Sequence, residues 1–387
     1  MDRMHFDDDH RAFGDAFRAF IDKSVVPNFL DFERDGITPR EVFQEAGRSG
    51  FLGMAIPEEH GGGGVEDFRF NQILDEQIAA AGISGSGLGI SLHNDICLPY
   101  FLAYTTEEQK KRWLPGIASG ELITAVAMTE PGAGSDLAGM RTSAVRDGDT
   151  YVVNGSKTFI TNGINADLVI VACRTASTGA DPENRRGGMS LLILERGMPG
   201  FERGRNLDKL GMHSQDTAEL SFTDVRVPVE NRLGEDGEGF SYLTAKLPQE
   251  RTSIAIAGVA EATAAFDETV AYVKDRKAFG TSVSSFQNTK FVLADIATEV
   301  DVAQAYVDRC VDRLRSGDLS AADASKAKYF CTELQGRVMD KCLQLHGGYG
   351  YMSEYPISRR YADARITRIY GGTSEIMKSV ISKSIGL

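Results

Sequence analysis

The sequence predicts an α+β protein with an N-terminal helical domain (residues 1–120), a central antiparallel β-domain (121–235) and a C-terminal four-helix bundle (236–387). Three changes of texture predict it. Apolar residues recur every three or four positions up to about Gly120. Short β-branched runs separated by turn dipeptides replace them up to Pro228, and helical spacing returns after Gly239. A chain of 387 residues also exceeds a typical single core, so two or three domains are expected.

In the first region Phe13, Phe17, Phe20 and Ile21 mark one helix, and Val42, Phe43 and Ala46 mark another after the break at Pro27. Gly61 to Gly64 interrupt the pattern, as a loop needing unusual dihedrals would. Asn71 to Ala81 resumes a helix, and Thr106-Glu107-Glu108-Gln109 reads as a capped start before Trp113. The central strands are Tyr151–Val153, Leu168–Val171, Ser190–Leu194 and Glu219–Phe222, divided by the turn signals Asp147-Gly148-Asp149, Asn154-Gly155 and Asn162-Gly163. No long helical pattern joins them, which argues against a doubly wound parallel sheet. The polar insert Thr175 to Gly188 reads as a surface loop. Ile254 to Val273, Phe291 to Tyr306 and Ala321 to Leu345 have the lengths of bundle helices.

The net charge of −13, spread along the chain, argues against nucleic acid or an anionic membrane as the main partner. No apolar run approaches a membrane span, and the acidic start carries neither a secretory nor a transit pattern. The five cysteines form no C-x-x-C pair and are odd in number, which points to a reducing, cytoplasmic setting and to buried small hydrophobes. The six dispersed histidines suggest no metal set and no triad.

Several segments carry chemistry. In Ala127-Met128-Thr129-Glu130-Pro131-Gly132-Ala133-Gly134-Ser135-Asp136 two glycines let backbone amides approach a ligand, and Ser135 can donate to a polar oxygen. Along Lys157-Thr158-Phe159-Ile160-Thr161 a strand would turn the Phe159 ring and the Thr161 hydroxyl to one side, although an isolated phenylalanine is more often core. Arg276, in Asp275-Arg276-Lys277-Ala278-Phe279-Gly280, offers five donors suited to a pyrophosphate, while Lys274 and Lys277 read as a solvated face. Gly347-Gly348, after Gln344-Leu345-His346, allows close backbone approach. Leu247-Pro248-Gln249-Glu250-Arg251 stands at the expected entrance to an apolar helix, where a first-turn glutamate could merely complement the helix dipole. Arg251 faces another side of that helix from Glu250, so no pairing between them is assumed. Glu130 and Asp136 read as loop anchors.

These segments, in this order and over nearly the whole chain, resemble the acyl-CoA dehydrogenase family, most of all its long-chain branch. The resemblance implies an FAD enzyme that desaturates a fatty acyl-CoA to the trans-2-enoyl-CoA and passes electrons to an electron-transfer flavoprotein. It lays Val126, Met128, Thr129, Gly134 and Ser135 along the flavin, with Ser135 also meeting the acyl-CoA. It sets Phe159, where many relatives carry tryptophan, against the ring, beside Ile160, and brings Thr161 to the N5 edge. Arg276, Phe279 and Gln287, with Gln344, Leu345, His346, Gly347 and Gly348, would reach the flavin of a neighbouring subunit, implying a homo-oligomer, usually a tetramer. Thr373, Ser374 and Glu375 would lie near the cofactor.

The family turn Tyr-Glu-Gly-Thr reads Tyr370-Gly371-Gly372-Thr373 here, without its catalytic carboxylate. The long-chain pattern then implies Glu250 as α-proton acceptor, with Pro248, Gln249, Arg251, Gly371 and Gly372 around the substrate and the Gly371 N–H as donor to the thioester carbonyl. Glu375 is the rival carboxylate. Two other readings stay open: an acyl-CoA oxidase or related flavin monooxygenase on the same scaffold, and a catalytically silent flavoprotein subunit.

Overall fold

The computed structural model describes residues 3, 5–175 and 187–387, so most of the expected surface loop Thr175–Gly188 lies outside the described residues. The N-terminal region contains α1 (Asp8–Ser24), α2 (Phe29–Asp35), α3 (Arg40–Arg48), α4 (Arg69–Ala81), α5 (Ser84–Ser91), α6 (Leu98–Tyr104) and α7 (Glu107–Ser119). Asp7 caps α1 by accepting from the His10 N–H, and Thr106 with Gln109 closes a full capping box on α7. Phe17, Ile21, Phe43, Phe51 and Leu74 fill the core between these helices. Gly61 and Gly64 in the glycine run take φ values of 84° and 63°.

Between α5 and α6 one π-helical stretch, Leu92–Cys97, bulges the chain. Pro99 follows it and has no N–H to give the Asp95 carbonyl. The Gln249 side-chain amide supplies the missing donor at 2.8 Å, which fastens this segment to the next domain.

The central sheet contains β1 (Thr124–Ala127), β2 (Ser143–Asp147), β3 (Thr150–Thr161), β4 (Leu168–Thr175), β5 (Met189–Glu195), β6 (Phe201–Asn206), β7 (Thr217–Pro228) and β8 (Arg232–Leu233). Its order is β6-β7-β3-β2-β4-β5-β8 with β1 beside β4, antiparallel except for the parallel pairs β1–β4 and β2–β4. In β4 and β5, Leu168, Ile170, Leu191 and Ile193 pack on α6 and α7 through Phe101, Trp113 and Ile117. Their neighbours Val169, Val171, Leu192 and Leu194 enter a second core with Tyr151, Val153 and Leu220. Both faces are buried, which is why these strands read as unbroken apolar runs.

Asn154-Gly155 is not a turn. It lies inside β3 beside a register shift, where Asn154 exchanges hydrogen bonds with Asp224 (3.0 and 2.9 Å) and Gly155 lets Thr142 approach closely. Asp147-Gly148-Asp149 does join β2 to β3, and Asn162-Gly163 ends β3.

The C-terminal domain has three long helices, α8 (Gly239–Asp275), α9 (Gln287–Arg315) and α10 (Ala321–His346), with two short ones, α11 (Pro356–Ala364) and α12 (Ser374–Ser384), against α10. A two-stranded ribbon, β9 (Lys277–Ala278) and β10 (Thr281–Ser282), links α8 to α9. Val259, Ala262, Ile296, Val307, Leu334 and Val338 form the shared core. Pro248 and Glu250 are interior residues of α8 and not its first turn. The helix begins at Gly239, so its dipole gives no account of Glu250. All five cysteines are buried and free. Among the described residues no helix is long and apolar enough to cross a membrane, and no group of three or more His, Cys, Asp or Glu could hold a metal ion.

Candidate active site

Glu250, 3% exposed, lines a cavity of about 180 Å³ between α4, α5, β1, β3, α8 and the turn that precedes α12. Tyr100 on α6 donates its hydroxyl to Glu250 Oε1 at 2.8 Å. Burial raises the Glu250 carboxyl to about 7, while the Tyr100 hydrogen bond and the charge of Arg251 limit the rise. Burial and the Glu250 charge push the Tyr100 phenol well above its usual range, so it remains a donor.

Gly371 lies on the same cavity wall. Its φ is +63°, and a Cβ there would overlap Ile254 Cδ1, so a side chain at this position is strained and requires Ile254 to shift. Its N–H bonds to no described residue, whereas its carbonyl accepts from Arg251 Nε at 3.5 Å. Lys328 donates to the Gly372 carbonyl, and Arg251 also donates to Ser325 Oγ at 3.1 Å. Two cations therefore pin the carbonyls of this turn while the amide stays available. Burial and the Arg251 charge lower the Lys328 ammonium to about 8.

Val126, Met128 and Thr129, at and after the end of β1, and Phe159, Ile160 and Thr161, at the end of β3, complete one side of the cavity. The expected strand alternation fails at this point. A register shift between Lys157 and Ile160 coincides with Phe159 at φ +60° and 67% exposed, and three consecutive residues reach the wall. Glu130 anchors the adjoining loop by accepting from the backbone of Arg141 (2.6 Å) and Thr142 (2.9 Å) and from Lys157 Nζ (2.9 Å). Gly134 and Ser135 are exposed beyond that anchor, and Ser135, Pro248, Gln249, Arg251 and Gly372 lie off the cavity wall.

Arg276, Gln344, Leu345, His346, Gly347 and Gly348 line a second, separate cavity of about 490 Å³. There the Arg276 guanidinium lies 5.0 Å from the Tyr349 ring centroid, and His346 stacks on Tyr272 at 4.1 Å. Gly347 has φ +59°, and both Gly347 and Gly348 have open space where a Cβ would be. Nearby Phe279 is 97% exposed, and Gln287 is exposed at the start of α9. Thr373 caps α12, Ser374 donates to Glu333 at 2.8 Å, and Glu375 is exposed. Backbone and Thr373 hydrogen bonds hold the Glu375 carboxyl below its usual value, and it lies off the cavity wall.

Two features have no motif in the sequence. Tyr100 meets Glu250 across 150 positions, and only its place in the buried run Leu98–Phe101 hints that it faces inward. Asp75 and Asp95 form a buried acid pair bridged by Ser253 Oγ (3.2 and 2.7 Å), one turn beyond Glu250. Burial and the neighbouring Asp95 hold the Asp75 carboxyl well above its normal range.

Profiles of the acyl-CoA dehydrogenase N-terminal, middle and C-terminal domains match residues 7–121, 125–225 and 237–386. The chain is 46% identical to the mitochondrial long-chain specific acyl-CoA dehydrogenase of Sus scrofa over 383 residues, 99% of this chain and 88% of that protein. Among solved structures, an acyl-CoA dehydrogenase from Geobacillus kaustophilus superposes with a TM-score of 0.96 at 48% identity, covering 100% of both chains. A glutaryl-CoA dehydrogenase from Mycobacterium smegmatis in complex with FADH2 gives a TM-score of 0.90 at 27% identity, covering 99% of this chain and 95% of that one.

Proposed function

Because this chain belongs to the acyl-CoA dehydrogenase family, an enzyme family with FAD as its cofactor, we propose that it desaturates long, straight acyl-CoA thioesters with Glu250 as the α-proton acceptor. The observation that carries this reading is a buried carboxyl on the same cavity wall as the Gly371 N–H, which bonds to no described residue. A thioester α-proton is too weakly acidic for an unaided carboxylate, so both groups are needed. The Gly371 N–H stabilises the developing enolate oxygen, and a base raised to about 7 takes the proton near neutral pH.

The residues fit FAD. The exposed Phe159 ring with Thr129 and Thr161 suits a flat heterocycle bearing hydrogen-bonding edges, and Gly132 and Gly134 have open space where side chains would be. Arg276 with Gly347 and Gly348 suits a pyrophosphate. Val126, Met128, Thr129, Phe159, Ile160 and Thr161 would hold the ring, and Ser135 would meet both ring and acyl-CoA. Arg276, Phe279, Gln287 and Gln344 to Gly348 would hold the dinucleotide of a neighbouring copy. Bound FAD supplies the acceptor for the β-hydrogen, which leaves as hydride.

A homotetramer belongs to this reading, supported by exposed Phe279, Phe291, Val302 and Tyr351 around the second cavity and along α9. Transfer of electrons to an electron-transfer flavoprotein and a reducing, cytoplasmic setting complete it, the latter supported by five unpaired cysteines. The long-chain preference rests on Leu247-Pro248-Gln249-Glu250-Arg251 and on likeness to the long-chain relatives.

Anaerobic mixing of the flavin-loaded protein with thioesters from short to long and branched tests the reading. Wild type should bleach with long straight chains, and Glu250→Gln should keep flavin and bind thioester without bleaching. Bleaching by that variant at the wild-type rate would reject Glu250. Peroxide formation in place of transfer to an electron-transfer flavoprotein would favour an oxidase.

A further inference from the structure

We propose that Tyr100 is a positioning residue for the base: its hydroxyl binds Glu250 Oε1 and so dedicates Oε2 to the α-proton. The inference rests on the reading of Glu250 above and adds to it the group that orients the carboxylate. The hydrogen bond is 2.8 Å long, and both side chains are almost wholly buried. The chain on either side of Tyr100 is fastened at three points. Pro99 stands in the first turn of its helix, the π-helical stretch before it is clasped by Gln249, and Phe101 packs edge-on against Trp113 with ring centroids 5.8 Å apart. The donor therefore belongs to a rigid element and does not follow the glutamate if that side chain moves.

Oε2 receives no hydrogen bond from any described residue, and the Glu250 side chain lines the cavity. A carboxylate with both oxygens free could rotate about its last torsion and present either one, at any of several angles. Fixing one oxygen removes that freedom and holds the other in a single attack geometry. The same bond is stronger to the carboxylate than to the acid that forms when Oε2 is protonated. Tyr100 thus also limits how far burial raises the base, and it keeps its own proton throughout, since only the α-proton moves, to Oε2.

The other titratable groups around Glu250 are Cys97 from the π-helical stretch, Arg251 on its own helix, and Tyr370, Asp75 and Glu261 on the cavity wall. Of the described residues, only Tyr100 donates a hydrogen bond to the Glu250 carboxyl.

The test is the pH profile of flavin bleaching by a saturating acyl-CoA. Tyr100→Phe should keep flavin, move the acidic limb of the profile up by about one pH unit, and lower the plateau by roughly tenfold. Tyr104→Phe, one turn along α6, should leave the profile unmoved. In a Glu250→Gln background Tyr100→Phe should cause no further loss. If Tyr100→Phe does not hold flavin, site-specific 3-fluorotyrosine at position 100, a better donor of the same shape, should move the limb down. An unmoved limb in a flavin-loaded Tyr100→Phe protein, or with fluorotyrosine, overturns the inference while leaving Glu250 as base. Turnover by Glu250→Gln alone would instead remove the reading beneath it.

Discussion

Ile254 Cδ1 occupies the space that a side chain on Gly371 would need, and Ile254 is one helical turn beyond Glu250 on the same face of α8. The helix that brings the carboxylate into the cavity therefore also closes the place where the family turn would otherwise carry one. Gly371→Ala should lower stability by about 1–3 kcal/mol, because the backbone is left-handed there and Ile254 must yield. Gly371→Glu in a Glu250→Gln background should stay inactive, and adding Ile254→Ala should raise the bleaching rate above that of the double variant. Stopped-flow bleaching checks both.

Activity should rise with pH through about 7 and level off above it, because the base must be ionised to accept a proton and burial has raised it to about that value. The limb is read from kcat/KM, which reports the free enzyme. A limb near the ordinary glutamate range would mean that the carboxyl is solvated.

The same burial costs stability. Glu250 carries a raised value in the folded protein, so its contribution is greatest below its unfolded value of 4.5 and is lost as pH rises to about 7. Glu250→Gln should be indistinguishable from wild type near pH 4.5 and more stable above neutrality, by up to about 3 kcal/mol. Chemical denaturation at acid and alkaline pH gives the comparison, and equal gaps at both would argue against a buried charge.

Gln249→Ala should remove the only side-chain donor, among the described residues, to the Asp95 carbonyl that Pro99 leaves unserved. A stability loss of about 1–2 kcal/mol is expected, with a fall in kcat larger than any rise in KM. Gln249→Glu, unable to donate when ionised, should behave like the alanine variant.

Glu375→Gln should keep turnover within about twofold of wild type, since an exposed first-turn carboxylate interacts only weakly with the helix dipole. Loss of bleaching in this variant would move the base to α12.

Much of the fold was legible because each local pattern agrees with the core it enters. Leu168–Val171 and Ser190–Leu194 are apolar throughout because both their faces are covered, and Thr106 with Gln109 announces α7 through a capping box. Errors arose where one signal has two physical meanings. Asn154-Gly155 suits a turn and a register shift equally well. Pro248 reads as a helix start, but Gly239 begins α8, and the Pro248 ring is accommodated within the long helix. The proposal of Glu250 draws on an absence at position 371, whereas the contact of Tyr100 with it has no signal in the sequence, because it exists only after α6 and α8 pack. The separation of Arg276 and Gln344–Gly348 from Phe159 and Thr161 is likewise a tertiary fact, invisible in spacing.

The irregularity at Thr158–Phe159 inserts one extra residue into β3 relative to β7. Before it the inward side chains carry odd numbers, Tyr151, Val153 and Lys157, and after it Ile160 faces in. Parity therefore switches within a single strand. Had the strand kept its phase, Thr161 would turn towards the greasy interior with Tyr151, and Ile160 would turn to the opposite surface beside Thr158. One supernumerary residue thus decides which chemistry the end of β3 offers, so a deletion of a single codon there would invert the wall while leaving the composition of the strand almost untouched.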